Sequence, residues 1–237
     1  MTSPLPKWSS EADRPPPEPT YLRKVLSDIW DGSFVLLVWT LLLWVTGFMF
    51  IFANIVGLPV ALVVAVLGIV PLLTGMLVMA GHSAKGSFMR LGDAWRGTRR
   101  LYWRSVALTL PLALLLALIE LSANVVSAAP DQRELAIALA LQVGIGMTMG
   151  VLHLYLLPLL ALLDTTLKQT VMLAVLLAGK FILQTLALLA VTLVLLALST
   201  LHPLVWLVAP GVWCVIVVNA AWRMVRQAAP GLAGIDK

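Results

Sequence analysis

Charge is what this sequence has least of. Only 11% of its 237 residues are Asp, Glu, Lys or Arg, where a soluble domain carries about 25%, which excludes an ordinary water-soluble globular protein. One cysteine, Cys214, excludes an intramolecular disulfide, and its neighbours Val212, Trp213, Val215 and Ile216 mark it as a small buried hydrophobe. The three histidines, His82, His153 and His202, fall at different depths of the spans derived below and cannot share a metal site. No HExxH, CxxC, GxSxG or P-loop pattern occurs. The sequence therefore leads us to expect no metal, no cofactor and no catalytic residue.

What is present is apolar: 61% of the residues are hydrophobic and the mean hydropathy is +0.99. The charged residues gather in 1–31, 85–104, 131–134, 164–180 and 223–237, which leaves Glu120 alone outside those stretches. The segments between them are long enough to cross a bilayer, since a helix needs about 20 apolar residues to span the hydrocarbon core. Only a helix satisfies its own backbone there. Residues 33–80 carry no charge and are too many for one crossing, and Asn54 with Gly57-Leu58-Pro59 supplies turn chemistry between two. The predicted fold is all-α: a six-span membrane bundle with spans at 33–53, 59–80, 105–127, 135–163, 181–200 and 204–222. A single helix over 164–201 would place Lys180 and Gln184 near the bilayer centre, so a break is predicted at Gly179-Lys180.

Six spans place both termini on one side with the loops 81–104 and 164–180. Of the 16 Lys and Arg residues, 15 then fall on that side and only Arg133 on the other. This asymmetry is the positive-inside signature and predicts a bacterial inner membrane with both termini cytoplasmic. It also accounts for the net charge of +5 without nucleic acid. Residues 1–20, rich in proline and poor in apolar side chains, read as a disordered tail rather than a signal peptide, and 227–237 as a short second tail. Trp30, Trp95, Trp103 and Trp222 fall near the predicted inner interface and Trp206 near the outer one.

Two amphipathic elbow helices are predicted on the inner side. In the first, Phe88, Leu91, Trp95 and Tyr102 form one helical stripe, as for a helix lying on the membrane surface. Arg90, Arg96, Arg99, Arg100 and Arg104 flank it as an anionic-lipid contact, each worth about 1 kcal/mol near the surface. The bland reading is that these arginines only set topology. The second elbow, 165–178, is less basic and is expected to pack into the bundle. The segments from Pro71 to Leu110 and from Pro158 to Leu193 share an outline, which fits either an internal repeat or two ordinary hairpins.

Within the spans, Glu120 is the costliest residue. Asn124 shares its helix face at i+4, and Gln142 lies at a matching depth on the next span, so the three could form a polar site, with His153 deeper as a second proton station. The alternative is that Glu120 is neutral helix glue and His153 a packing residue. Gly146 and Gly150 form a GxxxG pattern that admits a close helix neighbour, within the monomer or in a dimer.

The segment Gly68-Ile69-Val70-Pro71-Leu72-Leu73-Thr74-Gly75, the run from Gly86-Ser87-Phe88 to Ala94-Trp95-Arg96, and Tyr102-Trp103-Arg104-Ser105 resemble the YesL-like family of small bacterial membrane proteins. The likeness extends to Asp164 and Thr166-Leu167-Lys168, although Ile55 to Leu67 add length that the family lacks. The resemblance implies a multi-span inner-membrane protein from a family of undetermined biochemical role that is suspected of assisting carbohydrate uptake systems, and it brings no catalytic residues. The expected role is thus a non-catalytic accessory or scaffold, with anionic lipid and either transporter subunits or a second copy as partners. A small proton-linked transporter built on Glu120 is the alternative.

Overall fold

Two glycines with positive φ set the turns of the first half of the chain: Gly57 (φ 146°) and Gly86 (φ 89°). An L-residue with a Cβ is strained at either value. The computed structural model describes residues 21–128, 133–163 and 165–228. Helix α1 (Tyr21–Val56) ends at Gly57, and α2 (Leu58–Val64) starts with Pro59 in its first turn, where a missing N–H costs nothing. One π turn (Ala65–Ile69) joins α2 to α3 (Val70–Ala84). Then follow α4 (Leu91–Ala128), α5 (Arg133–Leu162), α6 (Leu167–Lys180), α7 (Ile182–Leu201) and α8 (Pro203–Ala228). Six helical segments are long and apolar enough to cross a membrane, with α2 and α3 counting together.

The six spans thus stand, with shifted ends. Helix α1 begins twelve residues before the predicted span and α8 runs six residues beyond it. The first elbow is corrected: it is no separate surface helix but the start of α4, which passes residue 104 without a break. At 38 residues α4 is about 57 Å long, so its basic turns project beyond a hydrocarbon core of about 30 Å. The physical reason is tight docking on α3. A Cβ on Gly75 would sit 2.6 Å from the Ala94 carbonyl oxygen, and one on Gly97 would sit 2.8 Å from Val78 Cβ. The buried face of this turn is therefore Ala94, Gly97, Thr98 and Leu101, whereas Phe88 (84%) and Trp95 (51%) of the predicted stripe are exposed.

The second elbow exists as α6. Its N-terminus is a capping box, in which Thr166 Oγ1 accepts from Gln169 N–H at 3.4 Å and Gln169 Oε1 accepts from Thr166 N–H at 3.0 Å. The helix breaks at Phe181 (φ −116°, ψ 50°), one residue past the predicted Gly179-Lys180. Thr185 donates to the Phe181 carbonyl (3.0 Å), and the buried Tyr155 hydroxyl bonds Thr185 Oγ1 (2.7 Å). As expected, α6 packs inward, with Ala174 and Leu177 fully buried.

Prolines inside the spans leave carbonyls without a helical donor, and aromatic side chains from other helices fill two of these places. Tyr102 Oη donates to the Leu67 carbonyl, four residues before Pro71, at 2.9 Å. Trp44 Nε1 donates to the Trp206 carbonyl, four residues before Pro210, at 3.3 Å. The core gathers toward one end, where α3 and α8 are enclosed by α1, α4, α5 and α6. Within their most apolar windows, 44% of the α2–α3 span is buried but only 6% of α5. The expectations for 1–20, for 131–132, for Asp164 and for 229–237 lie outside the described residues.

Candidate functional site

The most buried charged side chain among the described residues is Asp28, at 9% exposure. It lies on the buried stripe of α1 formed by Val25, Asp28, Gly32, Leu36, Trp39 and Leu43. Asn219 of α8 donates from Nδ2 to Asp28 Oδ2 at 3.1 Å and to the Val215 carbonyl at 3.0 Å. Lys24, one turn earlier on α1, has its ammonium 3.6 Å from the same carboxylate oxygen and donates to the Ser83 carbonyl of α3 at 3.3 Å. One carboxylate thus ties α1, α3 and α8 at their charged ends. Carboxylate, cation and amide answer one another, as a buried charge requires. Sequence reasoning missed this pairing because Asp28 was counted with the charges of the N-terminal region. The signal was the 3–4 spacing of apolar residues around it.

The intramembrane residues singled out from sequence are arranged differently. Gly146 packs against α4: a Cβ there would meet Ile119 Cδ1 at 3.2 Å and Leu115 Cδ2 at 3.8 Å. This antiparallel register brings Gln142 level with Glu120, and His153 level with Thr109. No hydrogen bond joins Glu120, Asn124 and Gln142 among the described residues: Gln142 Oε1 is buried without a partner, Glu120 is half-buried and Asn124 exposed. His153 donates from Nδ1 to the Met149 carbonyl at 2.9 Å. Its Nε2 and the Thr109 hydroxyl are buried without partners. A Cβ on Gly150 would meet nothing within 4 Å, so in the monomer the GxxxG pair is half used.

The five arginines do not form one patch. The Arg90 carbonyl accepts the Asp93 N–H at 3.0 Å at the start of α4. Arg96 is paired with Asp93 at 2.7 Å. Arg99 borders a cavity with Trp95, Tyr102, Trp103 and Pro71. Arg100 joins His82 and Lys85 around a separate cavity of about 310 Å³ between α3, α4 and the end of α5. Arg104 is exposed on α4. Arg99 and Arg100 thus serve different hollows, and the two basic faces look in different directions.

Among the described residues no three His, Cys, Asp or Glu side chains group as a metal site. The fold and this distribution of residues define a multi-pass membrane helix bundle. Comparison with protein-family models, with curated proteins and with solved structures finds no match to this chain.

Proposed function

We propose that this protein is a non-catalytic component of the bacterial inner membrane, with both termini cytoplasmic, that packs beside a transport complex as its YesL-like resemblance implies. The observation that carries the reading is how the polar side chains of the spans are used. Tyr102, Trp44, Trp39, Tyr155 and Trp213 each direct a hydroxyl or indole N–H to a carbonyl or hydroxyl on a different helix. The buried carboxylate Asp28 is likewise occupied by Asn219 and Lys24. Such groups are spent on holding helices together, which suits a scaffold. The exposed arginines of α4 then rest at the anionic inner surface.

A second reading, a proton-linked transporter, is favoured by one observation: Gln142 Oε1, His153 Nε2 and Thr109 Oγ1 are buried without partners along the α4–α5 contact. Proton flux into liposomes under an imposed pH gradient separates the two. The accessory reading expects equal, low flux from wild type, Glu120→Gln and His153→Leu. A flux that either substitution abolishes overturns it in favour of transport.

A further inference from the structure

At the charged end of the bundle, α7 and α8 run antiparallel and leave a groove of about 330 Å³, which Tyr21 of α1 borders. Its lining changes with depth. Gln184, Arg223 and Gln227 stand at the mouth, and Leu188, Val191 and Ile216 lie further in. From Gln184 to Val191 is two helical turns, about 10 Å at 1.5 Å per residue, so the inner part lies at hydrocarbon depth between two spanning helices. Tyr21 shapes the entrance: its hydroxyl donates to the Ile216 carbonyl at 3.0 Å, and the Arg223 guanidinium lies 6.0 Å from its ring centre. Arg223 itself is exposed, while Leu188 is buried.

We propose that this groove binds one anionic phospholipid, its phosphate at Arg223 and an acyl chain along Leu188, Val191 and Ile216. The order of chemistry along the groove is the order along a phospholipid: a cation and two amides with N–H donors, then only hydrocarbon. A guanidinium meets a phosphate with two parallel N–H donors, and the Tyr21 ring 6.0 Å away attracts the cation to the entrance. A peptide segment in the same place would set backbone N–H and C=O groups against Val191 and Ile216, which return no hydrogen bond. The inference rests on the membrane placement of the helices and not on the accessory role, so it stands or falls separately.

Native mass spectrometry of the full chain, released from dodecyl maltoside containing phosphatidylglycerol or phosphatidylcholine of matched chain length, tests it. Wild type is expected to retain one phosphatidylglycerol, and Arg223→Gln to bind it about tenfold more weakly, the loss of a charge-assisted hydrogen bond. Ala187→Trp, which fills the apolar wall of the groove, should lose the phosphatidylglycerol with unchanged circular dichroism. Arg223 is exposed at the end of α8, so its variant decides alone if the tryptophan variant does not fold. Equal retention by wild type and Arg223→Gln overturns the proposal. So does displacement of the lipid by millimolar inorganic phosphate, which assigns the site to a free anion. Loss of a dimer in Ala187→Trp with lipid retained overturns it in favour of a second copy.

Discussion

The Tyr102 hydroxyl donates to the Leu67 carbonyl across 2.9 Å, at the place where Pro71 has no N–H to return. The proline and the tyrosine are thus two halves of one device. Pro71 opens the backbone next to the π turn at Ala65–Ile69, and α4 closes it with a side chain. In hydrocarbon no water can do this. Tyr102→Phe is expected to lower stability by about 1 kcal/mol, read as an earlier midpoint in SDS titration of the protein from mixed micelles. An unchanged midpoint would show that the carbonyl finds another donor.

Helix α4 is held against α3 by contacts that leave no room for a methyl group. Gly97→Ala should cost about 1–3 kcal/mol by overpacking against Val78. Gly150→Ala, with open space around it, should be neutral in the monomer. If SDS titration finds Gly150→Ala as damaging as Gly97→Ala, then that face of α5 is occupied by another chain.

Removing the Asp28 carboxylate leaves the Lys24 ammonium and the Asn219 amide without their shared acceptor. Lys24 is 35% exposed, so solvent screens its charge, and Asp28→Ala should destabilise by about 1–3 kcal/mol, the range for removing one partner of a buried hydrogen bond. Replacing Asn219 by Leu leaves the ion pair in place and should cost less. Temperature-dependent size-exclusion chromatography in detergent ranks the two, and a reversed order would contradict the clamp.

Much of the fold was legible because its determinants are local. Charges cannot sit at the bilayer centre, so their clustering marks the spans, and Lys180 with Gln184 fixes the break now found at Phe181. Tertiary facts were not legible. Glycine weakens a helix by propensity, yet Gly97 is where α4 docks closely on Val78 of α3, and docking overrides propensity there. Asp28 and Asn219 lie 191 residues apart, and nothing in either local sequence names the other. The depth match of Glu120 and Gln142 could be counted from the helix ends, but depth does not fix which way a side chain points around its helix.

Topology has its own test. In a Cys214→Ala background, single cysteines at Ser87 and Arg133 should react with a membrane-impermeant maleimide from opposite sides, with Ser87 reached only after the inner face is opened. Labelling of both from one side would remove a span and the cytoplasmic assignment of the termini. Native Cys214, fully buried, should stay unlabelled in the folded protein and react after denaturation.

The buried share differs between spans, from 44% in α2–α3 to 6% in α5, so packing is uneven across the bundle. The charged end is clamped by Asp28, Asn219 and the α3–α4 glycines; the opposite ends of α4 and α5 touch little beyond each other. A thicker or thinner bilayer is accommodated by helix tilt at small cost per ångström, and that tilt falls on the lightly packed end. A change of bilayer thickness is therefore expected to be taken up on the far side, with the charged face holding its shape.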